Sequence, residues 1–484
     1  MSPLLGDQKT IAPSIMRQKV LVRPTRRAPG IEHLTPLDQY MVRVIIPELL
    51  IFQVDSPKLR PAILENLQTG LAYTIDELPF LAASIVPESE ERETIKLEYD
   101  SEESGVWFYW QEFPEVNYHA LAKRNFPFST LPVTQYVPDP LGHSKKSPVM
   151  TVMVTFITGG AIVTFSGHHA VMDAQGMGTL VQTWSKNVNA VSEGRKTLPE
   201  ERVSGETLDG TSIFGAASSR PLSDYPTFWA AEKRPYEATQ AEIMRAAIFG
   251  DHKKTTKMVP ISHWFLSQEA LDSIKADVVE AFPDDAAVTQ NSLITALIWR
   301  HVSLARQLTS KRVTTSSALT SVNVRRRMDP PLPIEYPGNG IVLARATADP
   351  AELESTEETN TLYNLARKIG DSIDWWTPEE IWQLTGSIDA CKYVGHWGMI
   401  PPLDYDVLVT SPARLGDVLR EAEWGRELGP LKALRFCFPA FMDGFATTLP
   451  GLHGGVDIMI WVSPETQLRL RENQGWTKWV KLIE

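Results

Sequence analysis

SPVMTVMVTFITGGAIVTFSGHHAVMDAQG, residues 147–176 of the 484, contains a long apolar run with no Asp, Glu, Lys or Arg before Asp173. The length of this run alone would allow a membrane span. However, Gly159-Gly160 interrupts it, and the flanking runs Thr151–Ile157 and Ala161–Phe165 are rich in β-branched residues. Two such runs around a Gly-Gly pair predict a β-hairpin. We therefore expect a cytoplasmic protein that makes no contact with a membrane.

Two histidines, His168 and His169, stand at the end of this predicted hairpin, and Asp173 follows four residues after the second. A histidine between a strand and a helix is held rigidly, yet its ring can face a cleft. Imidazole titrates near neutral pH, so such a ring can take a proton from a hydroxyl and return it later. The helix is predicted by apolar residues with spacings of three and four, namely Met177, Leu180, Val181, Trp184 and Val188.

Three roles for the paired histidines compete on this segment. A metal site is the weakest of them, because adjacent residues in a strand point to opposite faces and cannot both bind one ion there. We therefore expect no metal. A structural role, with both rings packed at the end of the strand, and a catalytic role as general base are both compatible with the segment.

Other kinds of catalytic centre are not supported by the sequence. The G-x-S-x-G elbow of serine hydrolases is absent, and so are the glycine-rich phosphate loops that follow a strand. Cys391 and Cys437 are the only cysteines, which excludes a disulfide framework and predicts two buried free thiols. The catalytic interpretation therefore predicts a general base that acts directly on two bound substrates.

The composition is that of an acidic globular protein. Hydrophobic residues make up 43% of the chain and charged residues 22%, and both values are close to globular averages. Lys and Arg number 47 against 59 Asp and Glu, which gives a net charge of −12. Because nucleic-acid binding needs a basic surface, this balance predicts that the protein does not bind nucleic acid.

Strand-like and helix-like segments alternate in both halves of the chain, which predicts an α/β fold. We expect a flexible N-terminal arm over residues 1–33, because its prolines break any amphipathic helix. An N-terminal domain that carries the two histidines is expected over 34–205. A long crossover over 206–255 and a C-terminal domain over 256–484 are expected to follow.

Three consecutive arginines, Arg325 to Arg327, follow a strand-like segment in the second half. If the strand continues through them, Arg325 and Arg327 share one face and Arg326 points to the other. One arginine could then reach inward to an acidic partner such as Asp173, and a bidentate arginine–carboxylate pair is both strong and orienting. Spacing alone leaves open whether the cluster is a solvated patch or forms such a pair.

These motifs resemble those of the BAHD family of CoA-dependent acyltransferases, most closely its fungal branch, which includes the trichothecene O-acetyltransferases. The family's HxxxD motif corresponds to His169 and Asp173. A second block, SVNVRRRMDPPLPIEYPGN at 321–339, is similar to the family's vDxRxR, PPLP and YxGN elements. The opening segment LTPLDQYMVRVIIPELLIFQV at 34–54 also looks like that of the family. The resemblance extends to about Asn473.

The chain departs from the family pattern in three of its motifs. Ala174 stands where the family has glycine directly after the aspartate. Asn323 replaces the aspartate of vDxRxR. The second hallmark, DFGWG, is reduced to EAEWG at 421–425. In the family this last motif is structural and remote from the cleft, so its decay is compatible with activity.

A further departure concerns the tetrahedral intermediate. In the family a tryptophan often helps to hold this intermediate, but the corresponding segment is Thr410-Ser411-Pro412. Proline has no N–H to donate, so we expect other donors, such as backbone N–H groups, to stabilise the oxyanion. Thr410 and Ser411 are the candidate contacts to CoA or to the intermediate.

The resemblance implies two similar α/β domains, like those of chloramphenicol acetyltransferase, around a central solvent channel. CoA would enter this channel from one face and the acceptor from the other, with no permanently bound cofactor. The resemblance also implies that His169 is the catalytic base, and that Asp173 orients the histidine loop by pairing with Arg325. His168 corresponds to a position without direct chemistry.

The function that we predict is acyl-CoA-dependent O-acyl transfer, and within it acetyl transfer from acetyl-CoA to a hydroxyl of a fungal secondary metabolite. The protein is expected to be a monomer. An amine acceptor is one alternative. A condensation-type acyltransferase on the same fold is another, although such a domain usually sits beside a carrier domain. The reduced DFGWG motif suggests, as a third alternative, a non-catalytic binding protein. The presence of both His169 and Asp173 argues against that alternative.

Overall fold

The computed structural model describes residues 17–25, 29–100, 103–138, 146–215, 217–226, 228, 258–283, 288–391, 405–412, 415–436, 440–451 and 454–484. Cys437 lies outside these ranges, and Cys391 is a half-buried free thiol instead of the buried one that we predicted. Within the described ranges, no helix combines the length and the apolar character that crossing a bilayer requires.

The described strands form three sheets. In chain order they are β1 (Gln18–Val22), β2 (Gly30–His33), β3 (Ile45–Gln53), β4 (Ser84–Ser89), β5 (Thr94–Tyr99), β6 (Val106–Asn117), β7 (Ser147–Pro148), β8 (Met150–Thr158), β9 (Gly160–His168), β10 (Met258–Leu266), β11 (Ser316–Asn323), β12 (Ile341–Ala348), β13 (Val407–Thr410), β14 (Leu431–Phe436), β15 (Ala440–Met442), β16 (Phe445–Pro450), β17 (Val456–Trp461) and β18 (Val480–Leu482).

Helices alternate with these strands in both halves. They are α1 (Pro36–Gln39), α2 (Arg60–Glu77), α3 (Tyr118–Lys123), α4 (Val133–Tyr136), α5 (Ala174–Ser192), α6 (Gln268–Ala281), α7 (Gln290–Arg306), α8 (Pro350–Leu353), α9 (Glu358–Asp374), α10 (Pro378–Ala390), α11 (Leu415–Glu421), α12 (Gly425–Leu428), α13 (Pro464–Glu472) and α14 (Gln474–Thr477). The α/β class predicted from the sequence is therefore correct.

The first sheet contains the predicted hairpin at its centre. Its strand order is β1–β6–β8–β9–β3–β14. β8 and β9 pair antiparallel across Gly159, whose positive φ of 79° suits glycine in a tight turn. Both strands are buried almost throughout, which explains why they lack the alternation of a half-exposed strand.

Helix α5 starts directly after the turn that ends this hairpin and packs on α2. The approach of the two helices is close, because a Cβ at Gly70 would come within 2.6 Å of a methyl carbon of Val188. The indole N–H of Trp184 also donates to the carbonyl of Leu67 at 3.1 Å. These contacts hold the second half of α5 against α2.

The second sheet is built from the C-terminal half. Its order is β12–β11–β13–β16–β17–β10–β15, and β18 pairs with β10. A smaller sheet of order β2–β5–β4–β7 lies in the N-terminal half. One cavity is lined both by Val44 and Ile46, at the start of β3 in the first sheet, and by Leu408 and Trp461 of the second. The two predicted α/β units thus meet at a cavity, as expected for a central channel.

Two described segments of the predicted N-terminal arm are ordered strands. β1 pairs antiparallel with β6, and β2 pairs antiparallel with β5. The prediction of a flexible arm over 1–33 is therefore wrong for these segments. The prediction relied on the prolines to exclude regular structure. However, Pro24 and Pro29 lie outside both strands and remove no hydrogen bond from a sheet.

The predicted domain boundaries also differ from the boundaries of the sheets. β14 belongs by sequence to the expected C-terminal domain, yet it pairs antiparallel with β3 of the first sheet. In the predicted crossover, short 3₁₀ helices at Gly205–Leu208, Thr211–Ile213 and Leu222–Asp224 are described. Residues 227 and 229–255 of that crossover lie outside the described ranges.

Candidate active site

His169 is the first residue beyond β9, and its backbone N–H donates to the carbonyl of Val44 at 2.8 Å. This hydrogen bond extends the β3–β9 ladder by one step and fixes the backbone that carries the ring. The His169 side chain lines two adjoining cavities. The neighbouring His168 is buried, lines neither cavity, and accepts a hydrogen bond on Nδ1 from the N–H of Ala170 at 3.2 Å.

Both imidazoles are neutral near pH 7. Burial lowers the pKa of His169 below its ordinary value, although nearby hydrogen bonds and the charge of Asp173 act in the opposite direction. Burial lowers the pKa of His168 to about 3, and the charges of Arg43 and His169 add to this shift. A neutral His169 ring can accept a proton from a hydroxyl that enters either cavity.

Asp173 caps the N-terminus of α5 and forms a bidentate ion pair. Its Oδ1 accepts from the N–H of Gly176 at 2.9 Å. Nη1 of Arg325 donates to Oδ2 and Nη2 to Oδ1, both at 2.9 Å, and the two side chains are 0% and 1% exposed. The N–H of Gly340 donates to Oδ2 at 2.9 Å. Asp173 lines neither cavity, and both of its oxygens are engaged.

Arg325 lies in a turn after the end of β11, so the strand alternation that we predicted for the three arginines is wrong. Arg325 is buried, Arg326 is exposed and Arg327 is half-buried. The guanidinium of Arg325 also donates from Nε to the carbonyl of Tyr336 at 3.1 Å and from Nη2 to that of Gly338 at 2.6 Å. One side chain thus connects the start of α5 to the loop 336–340.

Asn339 and Asp38, which were not singled out from the sequence, support the backbone of His169. The side-chain amide of Asn339 donates to the carbonyl of His169 and to Oδ1 of Asp38, both at 2.9 Å. Burial raises the pKa of Asp38 to about 6, and hydrogen bonds from Thr35 and Asn339 oppose that shift. Both residues belong to the segments that carry the family resemblance, so the motifs themselves were the available signal.

The two cavities differ in character and meet at His169. They share six lining residues, which are His169, Ala174, Ser321, Ile341, Thr410 and Pro412. One extends between the sheets and is walled mainly by apolar side chains. The other is lined by polar Gln175, Asn323 and Ser411, and Ser411 also borders a cleft at the start of α7. The cleft and the polar cavity thus share Ser411, and the polar cavity and the apolar chamber share the wall around His169.

Thr410, Ser411 and Pro412 lie at this meeting point. Thr410 ends β13 and lines both cavities, as does Pro412, whereas Ser411 lines the polar one. The hydroxyl of Ser321 donates to Oγ1 of Thr410 at 3.4 Å. Because Thr410 accepts this bond, its own hydroxyl proton can be directed at a ligand. Hydroxyl groups are therefore present on the wall that both cavities share.

Glu48 is a cavity residue that the sequence analysis missed. It is fully buried on β3, it lines the apolar chamber, and no described residue hydrogen-bonds to either of its carboxyl oxygens. Burial raises its pKa to about 8. The available signal was a single acidic residue inside the apolar run IIPELLIF. In the described part of the chain, no cluster of three or more acidic, histidine or cysteine side chains is arranged to hold a metal ion.

The EAEWG segment packs away from both cavities. Trp424 is 2% exposed, and its ring lies edge-on to Phe52 and Trp184 with centroid distances of 5.7 and 5.3 Å. These rings belong to the large hydrophobic core behind β3 and α5. The contacts agree with a structural role for this segment.

We expect Gly176→Ala to lower the free energy of unfolding by about 1–3 kcal/mol, the usual cost of overpacking. A Cβ at position 176 would lie 1.9 Å from the carbonyl oxygen of Pro337, so either α5 or the loop 336–340 would have to move. Gly178→Ala in the same helix is the matched control, because the nearest atom, Cδ1 of Leu415, would be 3.6 Å away. Denaturant unfolding measures both variants, and equal losses would contradict this account.

Comparison with known proteins identifies relatives among acyltransferases. The sequence model described as "Transferase family" matches residues 16–383. The acyltransferase easC of Emericella nidulans is 25% identical over 92% of this chain and 94% of its own length. The O-acetyltransferase anaAT of Neosartorya fischeri is 26% identical over 61% of this chain and 63% of its own length.

A solved structure is also similar along most of the chain. It is that of F. sporotrichioides TRI101 complexed with Coenzyme A and T-2. The two structures superpose with a TM-score of 0.76 over 94% of this chain and 100% of the other, at 19% sequence identity. At that identity the similarity shows a shared fold.

Proposed function

We propose, because the chain belongs to the Transferase family, that it transfers an acyl group from a CoA thioester to a hydroxyl of a small secondary metabolite. Relatives named acyltransferase and O-acetyltransferase support this reaction, as does a structural neighbour that was crystallised with Coenzyme A and T-2. Acyl-CoA is a co-substrate in this reaction, so no permanently bound cofactor is required.

The observation that carries the proposal is the position of His169 between two unlike cavities. The polar cavity and the cleft beyond it suit the hydrophilic parts of CoA, and the apolar chamber suits a metabolite skeleton. Two substrates that entered from these sides would meet at one imidazole. Holding both reacting groups at such a point removes much of the entropic cost of their encounter.

In the proposed mechanism, the neutral His169 ring takes the proton of the acceptor hydroxyl while the hydroxyl oxygen bonds to the thioester carbonyl carbon. The tetrahedral intermediate carries negative charge on the former carbonyl oxygen. The hydroxyl of Thr410, which accepts a hydrogen bond from Ser321 and keeps its own proton, is a donor on the shared wall for that charge. Cleavage of the C–S bond then forms the ester, and His169 returns its proton to the CoA thiolate. No acyl-enzyme forms.

Asp173 and Arg325 act as positioning residues in this proposal. Their pair fixes the turn after His169 to the loop 336–340, and Asn339 in that loop holds the carbonyl of His169. Neither charged group reaches the reacting atoms, because neither lines a cavity. Their contribution to catalysis is therefore the geometry of the imidazole.

We further propose acetyl as the acyl group and a monomer in the cytoplasm as the working form. The acetyl donor is supported by the relative named O-acetyltransferase. A monomer is supported because side chains from both halves of a single chain enclose the chamber. A soluble location agrees with the described helices, none of which is suited to cross a bilayer.

The test is CoA release by the purified protein. Acetyl-CoA and longer acyl-CoAs are offered with a panel of hydroxylated metabolites and with amines of matched skeleton, and products are identified by mass spectrometry. Ester formation from a hydroxyl acceptor is expected. Amide formation alone would replace O-acyl transfer by N-acyl transfer. Binding of CoA and of the metabolites without any transfer would favour the non-catalytic alternative.

The acid limb of the pH profile provides a further prediction. Because burial lowers the pKa of His169, its neutral form persists at lower pH than that of a free imidazole. We expect kcat/KM to fall with a midpoint below the ordinary histidine value of about 6.5. Measuring kcat/KM between acid and neutral pH checks this, and a midpoint above that value would show that the imidazole environment is described wrongly.

A further inference from the structure

Glu48 breaks the pattern of its own strand. On β3, Leu50 and Phe52 lie on the same face as Glu48 and belong to the hydrophobic core. Val44 and Ile46 precede Glu48 on that face and line the apolar chamber. The face is thus apolar on both sides of Glu48. Glu48 stands where the chamber wall passes into the core, four residues beyond Val44, whose carbonyl accepts from His169.

Burying a carboxyl group in this position costs folding free energy, and no hydrogen bond or opposite charge from the described residues offsets that cost. Buried polar groups in folded proteins are nearly always hydrogen-bonded, yet no described residue bonds to either oxygen of Glu48. Among the described residues that line the chamber, none is a lysine or an arginine. A leucine here would continue the apolar face without that cost. The unpartnered carboxyl is therefore better explained by a ligand than by folding.

We propose that Glu48 binds a basic amine on the acceptor, and that the acceptors of this enzyme are apolar molecules with a protonatable nitrogen remote from the acylated hydroxyl. The proposal rests on the proposed function, because it assigns the apolar chamber to the acceptor. It adds a specificity-determining residue and a chemical class of substrate.

The amine is preferred over a neutral partner for two reasons. A hydrogen bond between neutral groups could be supplied by glutamine or threonine without burying an ionisable group. An aliphatic amine is also more basic than a carboxyl group whose pKa burial raises to about 8, so the proton moves to the amine and an ion pair forms. Charge-assisted hydrogen bonds are roughly twice as strong as neutral ones.

The strand geometry sets the separation of the two acceptor groups. The backbone N–H of His169 donates to the carbonyl of Val44. Glu48 lies four residues after Val44 on the same face of β3. At about 3.4 Å per residue, this spacing places the His169 imidazole and the Glu48 carboxyl group on the order of 10 Å apart, once both side chains reach into the chamber. The acceptor must therefore span that distance between its hydroxyl and its nitrogen.

Binding of simple probes tests the proposal. An ω-amino alkanol, the alkanol and the α,ω-diol of equal chain length are titrated into the protein by calorimetry, without an acyl donor, over a series of chain lengths. We expect the wild type to bind the amino alkanol ~10–100-fold more tightly than the alkanol, as charged hydrogen bonds allow. Glu48→Gln should abolish this preference, with the alkanol as the internal reference.

Ile46→Val on the same strand face is the matched control, and it should keep the preference for the amine. Equal binding of amine and alkanol by the wild type, a preference that survives in Glu48→Gln, or a diol that binds as tightly as the amine would each overturn the proposal. CoA release with acetyl-CoA is measured separately. Amine selectivity without any acyl transfer would refute the proposed function and leave the assignment of Glu48 intact.

Discussion

His169→Ala is expected to reduce kcat by roughly 10²–10⁴-fold, which is the usual contribution of a positioned general base. The ring is the one imidazole that lines both cavities in the described structure, and burial keeps it neutral and ready to accept a proton. Its removal leaves the bidentate pair of Asp173 and Arg325 in place. Single-turnover measurements at saturating substrates, together with thermal unfolding, separate the loss of chemistry from any loss of folding.

His168→Ala is the control for this experiment. His168 directly precedes His169 in the sequence, yet it lines neither cavity. We expect its removal to affect stability more than turnover, because the ring is buried. Near-normal turnover in His169→Ala, or equal losses of turnover in the two variants at equal stability, would refute the assignment of the base.

Asp173→Asn is expected to lower the free energy of unfolding by about 3–5 kcal/mol, the usual cost of leaving one member of a buried ion pair without its partner. The change keeps the size of the side chain and removes its charge, while the guanidinium of Arg325 stays 0% exposed. A loss of this size is a large part of the stability of a typical domain. Activity should fall together with stability, because the turn after His169 loses its anchor.

A double-mutant cycle tests the pairing itself. Arg325→Gln should reproduce the loss seen in Asp173→Asn, and the double variant should lose less than the sum of the two, as contacting residues do. Strict additivity of the two losses would reject the pair as an energetic unit. A stable but inactive Asp173→Asn would indicate that the carboxylate influences His169 electrostatically, as in a catalytic triad.

Local patterns in the sequence predicted the central elements well. The hairpin β8–β9 and the helix α5 follow from β-branched runs around Gly-Gly and from apolar spacing, because these patterns reflect burial of the segment itself. The structure also brings Asp173 and Arg325 together, as the resemblance to the family implied. The catalytic roles of these residues stay predictions.

Features that depend on distant partners were not predictable in this way. A short apolar strand such as β14 is compatible with either sheet, and only the three-dimensional structure shows that it joins β3. Arg325 was placed on a strand face because periodicity does not show where a strand ends. Glu48 escaped notice for a related reason, since one acidic residue in an apolar run has no meaning until a cavity lies beside it.

The position of β14 has a consequence for the synthesis of the chain. Until residues 431–436 leave the ribosome, β3 is an unprotected edge with unpaired backbone groups, which is a known hazard for aggregation. At roughly 5–20 residues per second, the interval between completion of β9 and arrival of β14 is on the order of tens of seconds. The first sheet is therefore completed only after most of the second half has been synthesised. If the two halves are expressed as separate polypeptides, we expect the first half to be unstable.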